Sequence, residues 1–414
     1  MIFKKNSIGI PLIFLIIVLT FTPVVGYFPI FRNKWIFLLL GIALLSISNT
    51  KFYISRAFFC LVFSALIMLL NVYSEDKYFN LNMVLAEIST LVFVAMMAMY
   101  AVNKGKPLFL KWCIMTFFLI VAVETIATFI FDLLIPGALR ALTSDSIKTG
   151  ERLDLLYPYY QLGMSNYMLP HAMPMLIPPL VMGFRERSHP VLMRVWSLIF
   201  LLLALELIWL SGVMTAFLMA ILFLLLSIYT SFSKKPDWKK FIYFGLLFLP
   251  FVFYDDLTKH VLQLAQDIFS GNDYIYRKLL LLEENIDESE ATGDVAARQN
   301  HYLESLQEFF NNILVGTNNP MGRHSTFLDR LGTLGLVGFV PYILFYYFQI
   351  KTIRRYIPQL NRIYYDEAIG AGLLMLLFKD VDNWELFLTL FTITPLLVIY
   401  LSPNKCYNKI NPIS

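Results

Sequence analysis

The chain has 414 residues, 58% of them hydrophobic, 16% aromatic and only 15% charged, with a net charge of +4. That composition lies outside the range of a soluble domain of this length. The absence of basic runs interleaved with aromatics in a polar domain argues against a nucleic-acid partner. The spacing of the three cysteines, Cys60, Cys113 and Cys406, indicates neither a disulfide framework nor a zinc site.

A membrane-crossing helix needs roughly 20 mostly apolar residues, because hydrocarbon cannot hydrogen-bond a bare backbone. About twelve stretches qualify as spans, some of them short: 8–25, 35–49, 57–74, 83–102, 109–134, 166–184, 191–210, 212–230, 241–254, 331–350, 366–379 and 384–402. The first follows Lys4 and Lys5 but is too long for a signal peptide and lacks a small-residue cleavage site, so it reads as an uncleaved span. Lys and Arg collect on cytoplasmic loops. Placing the N-terminus inside puts Lys51, Arg56, Lys104, Arg185, Arg194, Lys234, Lys239, Lys351, Arg354 and Arg362 all inside, and leaves Ser74–Lys77 and Lys379–Glu385 outside. The expected fold is therefore all-α: about 12 transmembrane helices, both termini cytoplasmic. The organisation is 1–254 (nine spans with an external loop, 135–165), a large external loop 255–330, and 331–414 (three spans and a cytoplasmic tail).

The first external loop carries Arg152, Tyr157, Tyr159 and Tyr160, with Asn166 opening the next span. Aromatic and amide groups suit sugar rings, by stacking and hydroxyl hydrogen bonding; an aromatic belt at headgroup level is the alternative. Glu124 and Glu206 interrupt apolar spans, which makes them functional candidates by position alone.

In the large loop, Lys278–Glu290 has the makings of a short helix. Ala296–Ile313 spaces Tyr302, Leu306, Phe309 and Ile313 along one helical face, which must be buried on the protein or at the membrane surface. Arg298 precedes Tyr302 by one turn, so its guanidinium must snorkel, pair with a loop acid or bind an anion. Gly316–Pro320 then breaks the chain. His324 stands just before the tenth span, with Arg323 and Arg330 flanking it and Ser325 or Thr326 available as N-cap. A helix N-terminus with guanidinium groups beside it suits phosphate or diphosphate; an interface histidine in a basic collar is the alternative. No P-loop, GxSxG, HExxH or GxGxxG context occurs.

His324-Ser325, nine residues, then Gly335-x-x-Gly338 resembles the motif of the O-antigen polymerase and ligase group, as do the span number and the loop between the ninth and tenth spans. Arg298, the amphipathic helix and Gly316 resemble the arginine-helix-glycine stretch of the same loop, and Arg152 and Gly163 a polymerase arginine-glycine motif. Ser325, where many ligases have Asn, with Leu328-Asp329 following, tilts the likeness towards polymerase. The chain departs from relatives at Leu210–Val213, which lacks an arginine.

The resemblance implies a metal-independent glycosyltransferase without cofactor in the bacterial inner membrane. Its donor would be an oligosaccharide on undecaprenyl diphosphate, displaced by a hydroxyl of another lipid-linked sugar. It implies His324 and Arg298 as catalytic residues, His324 as general base or phosphate ligand. Arg152, Tyr160, Asn166, Arg323 and Arg330 would bind substrate. Membrane lipids, a chain-length regulator and a flippase are the implied partners. The rivals are a ligase transferring glycan to lipid A-core, a transporter or lipid flippase (to which Pro170, Pro174, Pro178 and Pro179 in one span lend support), and a non-catalytic assembly subunit.

Overall fold

The computed structural model describes residues 34–47, 49–72, 81–103, 107–134, 168–211, 213–232, 255–268, 293–317, 324–381 and 384–402, with isolated positions at 15, 18 and between 270 and 283. Among these residues the fold is helical and contains no strand. The expected spans 8–25 and 241–254, the loop 135–165 and most of Lys278–Glu290 lie outside the described residues.

The helices are α1 (Lys34–Ser46), α2 (Arg56–Val72), α3 (Leu81–Asn103), α4 (Pro107–Leu134), α5 (Met168–Ala172), α6 (Ile177–Arg185), α7 (Val191–Ser211), α8 (Met214–Phe232), α9 (Asp255–Ile268), α10 (Gly293–Asn311), α11 (Thr326–Arg354), α12 (Arg362–Phe378), α13 (Trp384–Leu388) and α14 (Thr394–Tyr400). Five of them, α3, α4, α7, α8 and α11, are long and apolar enough to cross a membrane. The amphipathic helix expected at 296–313 is α10, and its Tyr302, Leu306 and Phe309 face is half-buried while Ile313 is exposed. The helix expected from Leu331 starts a full turn earlier, at Thr326, because Ser325 caps it: its backbone is extended (φ −144°, ψ 116°) and its Oγ accepts from Leu328 N–H at 3.1 Å.

α3 is the central helix. Nearly every side chain from Leu91 to Val102 is buried, and three of its backbone carbonyls receive side chains from elsewhere: Asn49 on Met96 (2.9 Å), Gln349 on Ala95 (3.2 Å) and Thr392 on Val94 (2.9 Å). Buried amides and hydroxyls in an apolar bundle must find such acceptors or lose the cost of desolvation.

The span expected at 166–184 is broken. α5 gives way to a 3-10 turn, Met173–Leu176, before α6 begins, and all of it is buried. Pro170, Pro174, Pro178 and Pro179 each remove a backbone donor and crowd the preceding turn, which an unbroken α-helix cannot absorb. The last span is likewise interrupted, by a π-turn at Thr389–Ile393 that leads into α14 with Pro395 in its first turn.

One end of the bundle collects cations. Arg354 pairs bidentately with Asp366 (both contacts 2.7 Å), Arg194 donates to Phe184 O (3.0 Å), and Arg185 lies 4.2 Å over the Phe232 ring. Glu367 accepts from Ser227 (2.8 Å) and Thr230 (2.5 Å) at the same end. The opposite end carries α10 and the start of α11.

α11 is two helices joined at Gly335, whose φ of +56° and ψ of −170° are not helical. The kink strands backbone groups, and the segment after α10 takes them up. Leu336 and Val337 donate to Ile313 O and Leu314 O, both at 2.9 Å, while Thr317 N–H donates to Gly332 O at 2.9 Å. Asn71 of α2 donates to Thr333 O at 3.2 Å. Gly316, with φ +74°, faces this junction: a Cβ on it would lie 2.3 Å from Thr333 O, and one on Gly335 would lie 2.4 Å from Gly316 N. Gly338 seats α2 against α11, since a Cβ there would come within 3.0 Å of Ile67.

Gly335→Ala should therefore unfold the junction. At φ +56° and ψ −170° the backbone lies in a region essentially reserved for glycine, which costs a residue with a Cβ about 1–3 kcal/mol before any clash is counted, and the clash here is with backbone. A loss of several degrees in thermal unfolding in detergent, or failure to accumulate, is the expected outcome. Gly370→Ala, whose Cβ would meet only Phe223 at 3.6 Å, should be neutral.

Candidate functional site

α10 lies against the first turns of α11. Ser305 donates to Asp329 Oδ1 at 2.6 Å, both groups being buried, and Tyr302 OH donates to the Phe378 carbonyl at 2.9 Å. Thr326 ties the same corner to the end of α12: its N–H and hydroxyl reach Lys379 O (3.0 and 3.1 Å), and Val381 N–H reaches its Oγ1 (3.0 Å). The start of α11 is thus held from both sides.

This packing brings His301 of α10 over His324. The two imidazoles stack with ring centroids 4.5 Å apart and planes 18° from parallel. His301 Nδ1 lies 2.9 Å from Glu304 Oε2, one turn along α10, which fixes the tautomer and plane of the outer ring. His324 is half-buried, whereas Glu304 is 56% exposed, so the pair sits at a surface accessible to a polar ligand.

Of the residues singled out from sequence, the structure places His324 in this pair. Arg298 lies in α10 three residues before His301, one turn away; its side chain lies outside the described residues. Arg152, Tyr160, Asn166 and Arg323 also lie outside them. Arg330 is not at the mouth of the helix. It is 3% exposed and forms an ion pair with Glu87 of α3 at 2.7 Å, Glu87 also accepting from Tyr342 at 3.0 Å, and Tyr342 meets Tyr346 at 2.9 Å. Five positions beyond the N-cap, the helix has turned Arg330 inward, where its charge is matched by a carboxylate. Its placement suits a structural ion pair better than an open anion-binding cation.

His301, and any site role for Glu304 and Asp329, escaped the sequence reading. The signal that could have found His301 is its spacing after Arg298, which puts 298, 301 and 305 along one side of α10, with Glu304 one turn after His301. The stack on His324 carries no local signal. Of the two carboxylates singled out from sequence in apolar spans, Glu124 is buried, and Glu206 is exposed beside a cavity of about 670 Å³ between α7 and α8, walled by Leu202, Trp209, Phe217 and Leu224. Neither is brought to the histidines. Among the described residues no three His, Cys, Asp or Glu side chains converge as a metal site.

Two imidazoles beside a carboxylate, at the capped start of a helix, can transfer a proton or hold an anion. Compared with known proteins, the chain matches no family model and no curated protein sequence.

The Arg330–Glu87 pair gives a stability test. Removing one partner leaves a buried charge uncompensated, at a cost of about 3–5 kcal/mol. Arg330→Met or Glu87→Leu alone should sharply lower the unfolding temperature, and the double variant should recover most of the loss. Equal, additive losses would show that the two side chains act separately.

Proposed function

We propose that this protein is a metal-independent glycosyltransferase of the O-antigen polymerase type, extending polyprenyl-diphosphate-linked oligosaccharides at the outer face of the bacterial inner membrane. The observation that carries the reading is the Gly316–Gly335 junction. The two stretches on which the resemblance rests, Arg298 to Gly316 and His324 to Gly338, are docked on each other by backbone hydrogen bonds from Leu336 and Val337 to Ile313 and Leu314, beside the close approach of Gly316 to Gly335. Residues 15 to 23 positions apart in the sequence thereby share one corner of the fold, with a paired imidazole at its tip.

In this reading an acceptor sugar hydroxyl attacks the anomeric carbon of the donor. The C–O bond to the diphosphate breaks, the diphosphate lipid leaves with the electron pair, and the hydroxyl proton passes to His324. His301, held by Glu304, backs the His324 ring so that it meets the hydroxyl in one orientation. Arg298 offsets the negative charge growing on the leaving diphosphate, the kind of preorganised stabilisation that dominates many transferases. Depth favours a lipid diphosphate: from Leu336 to Arg354, at 1.5 Å per residue, α11 rises about 28 Å, close to a hydrocarbon core of about 30 Å. His324 then stands above that core, at most about 20 Å from Gly335 with its two non-helical residues counted as extended, where headgroups lie.

A strain lacking the protein should attach a single repeat to its lipid core; loss of all attached repeats would identify a ligase instead. His324→Ala should lower the polymerisation rate about 10²–10⁴-fold, as loss of a general base does, and His324→Lys should not restore it. Restoration by lysine would make His324 a phosphate ligand, and wild-type polymer from the alanine variant would remove it from the site. Arg298→Ala should abolish extension, with Arg298→Lys a poor rescue because lysine lacks the planar fork that grips a diphosphate.

The proposed topology has both termini cytoplasmic and 255–330 external. Single cysteines at Asn272 and Asn318 should react with an impermeant thiol reagent in intact spheroplasts; reaction at Ser233 instead would invert the assignment.

A further inference from the structure

The segment that leaves α10, from Phe310 to Gly316, contains no charged residue and has three large apolar side chains in succession, Ile313, Leu314 and Val315. All are exposed, Leu314 by 66% and Val315 by 64%, and Phe310 adds another 66%-exposed ring one turn earlier. They do not stand alone. Ile313 and Leu314 are hydrogen-bonded to Leu336 and Val337, which are themselves exposed, as is Val340 one turn on. α2 lies alongside, with its Ile67 against Gly338 and its Asn71 on Thr333 O, and it presents Leu66 and Leu70 outward. Phe310, Ile313, Leu314 and Val315, with the exposed Asn311 and Asn312 between them, thus extend the exposed apolar flanks of two helices onto the end of the loop.

We infer that Phe310–Val315 is embedded in the acyl region of the leaflet on the loop's side of the membrane, so that this part of the loop is a membrane wedge. Two independent features support lipid acyl chains as the occupant. The first is depth: the helix beyond Gly335 is about one hydrocarbon thickness long, so backbone bonded to Leu336 and Val337 lies at the hydrocarbon boundary. The second is backbone pairing. Irregular chain is tolerated at membrane depth only where protein satisfies its polar groups. Here Gly316 N–H donates to Asn312 O (2.8 Å), Thr317 N–H to Gly332 O, and the carbonyls of Ile313 and Leu314 accept from α11. The wedge enters the bilayer with the carbonyls of Asn312, Ile313 and Leu314 and the N–H groups of Asn312 and Gly316 already paired. A soluble loop gains little from that arrangement.

The test uses the full chain, with Cys60, Cys113 and Cys406 replaced by Ser, in nanodiscs of phosphatidylethanolamine and phosphatidylglycerol. Nitroxide is placed in turn at Phe310→Cys, Leu314→Cys and Glu304→Cys. Labels at 310 and 314 should collide with oxygen several-fold more, and with a water-soluble nickel chelate several-fold less, than the label at 304. Nickel accessibility equal to that at 304 would place the segment in water and overturn the inference. So would protection from both reagents, which means cover by protein, or dipolar broadening between labels, which means cover by a second copy. A label-free check is Leu314→Trp in the same nanodiscs: brominated acyl chains should quench its added fluorescence, and its insensitivity to them would count against the wedge.

Discussion

A helix inside an apolar bundle has to account for every backbone hydrogen bond, and α11 breaks its own ladder at Gly335. The molecule around it is organised by the repair. Two donors and two acceptors left over at the kink are matched by the loop segment 313–317 and by Asn71, at distances between 2.9 and 3.2 Å. Only glycine fits on either side of the contact, since at Gly316 and Gly335 the facing atoms are backbone and both residues have positive φ. The placement of α10, and through it of His301, follows from that exchange. Where side-chain packing alone would let a loop helix slide or roll, paired amides fix its register to within a fraction of a residue.

The site built on this junction is polar in layers. Outermost is the His301–His324 stack with Glu304. Beneath it Ser305 and Asp329 join α10 to α11, and deeper still Arg330, Glu87, Tyr342 and Tyr346 form a buried chain into the bundle. The layers have different work to do. The deep chain has its charges matched and serves to bind α11 to the central helix, whereas the outer pair is accessible enough to meet a substrate. A count of cations near the start of α11 makes no distinction between the two layers; burial and partners do.

How far the sequence revealed this depended on the range of each interaction. α10 was legible because Tyr302, Leu306 and Phe309 repeat at helical spacing, and the start of α11 because a hydroxyl residue precedes an apolar run. The breaks at α5–α6 were foreshadowed by four prolines, although their apolar setting let them pass as one span. The kink was not legible, since Gly335 belongs to a stretch that reads as continuous helix and the backbone it packs against, around Gly316, is distant in sequence. Nor was the burial of Arg330, whose partner lies on a different helix. The His324–Gly338 stretch was noticed through its likeness to a motif, and the structure gives its glycines a physical reason for being there: Gly335 makes the kink and Gly338 admits α2.

The distance along the chain between Glu87 and Arg330 has a consequence for how the protein is made. The two are 243 residues apart. At the usual pace of about 5–20 residues per second, α3 leaves the ribosome roughly 10–50 s before α11 does. Throughout that interval a carboxylate that ends up buried has no arginine. An ionised group in hydrocarbon is costly, so α3 must wait protonated, near the interface, or sheltered by the insertion machinery and its early neighbours. The central helix of the finished bundle is therefore among the last to reach its final electrostatic state. A chain truncated before α11 would keep Glu87 without Arg330, so that the cost of placing that carboxylate in the bundle stays unrelieved in every incomplete copy.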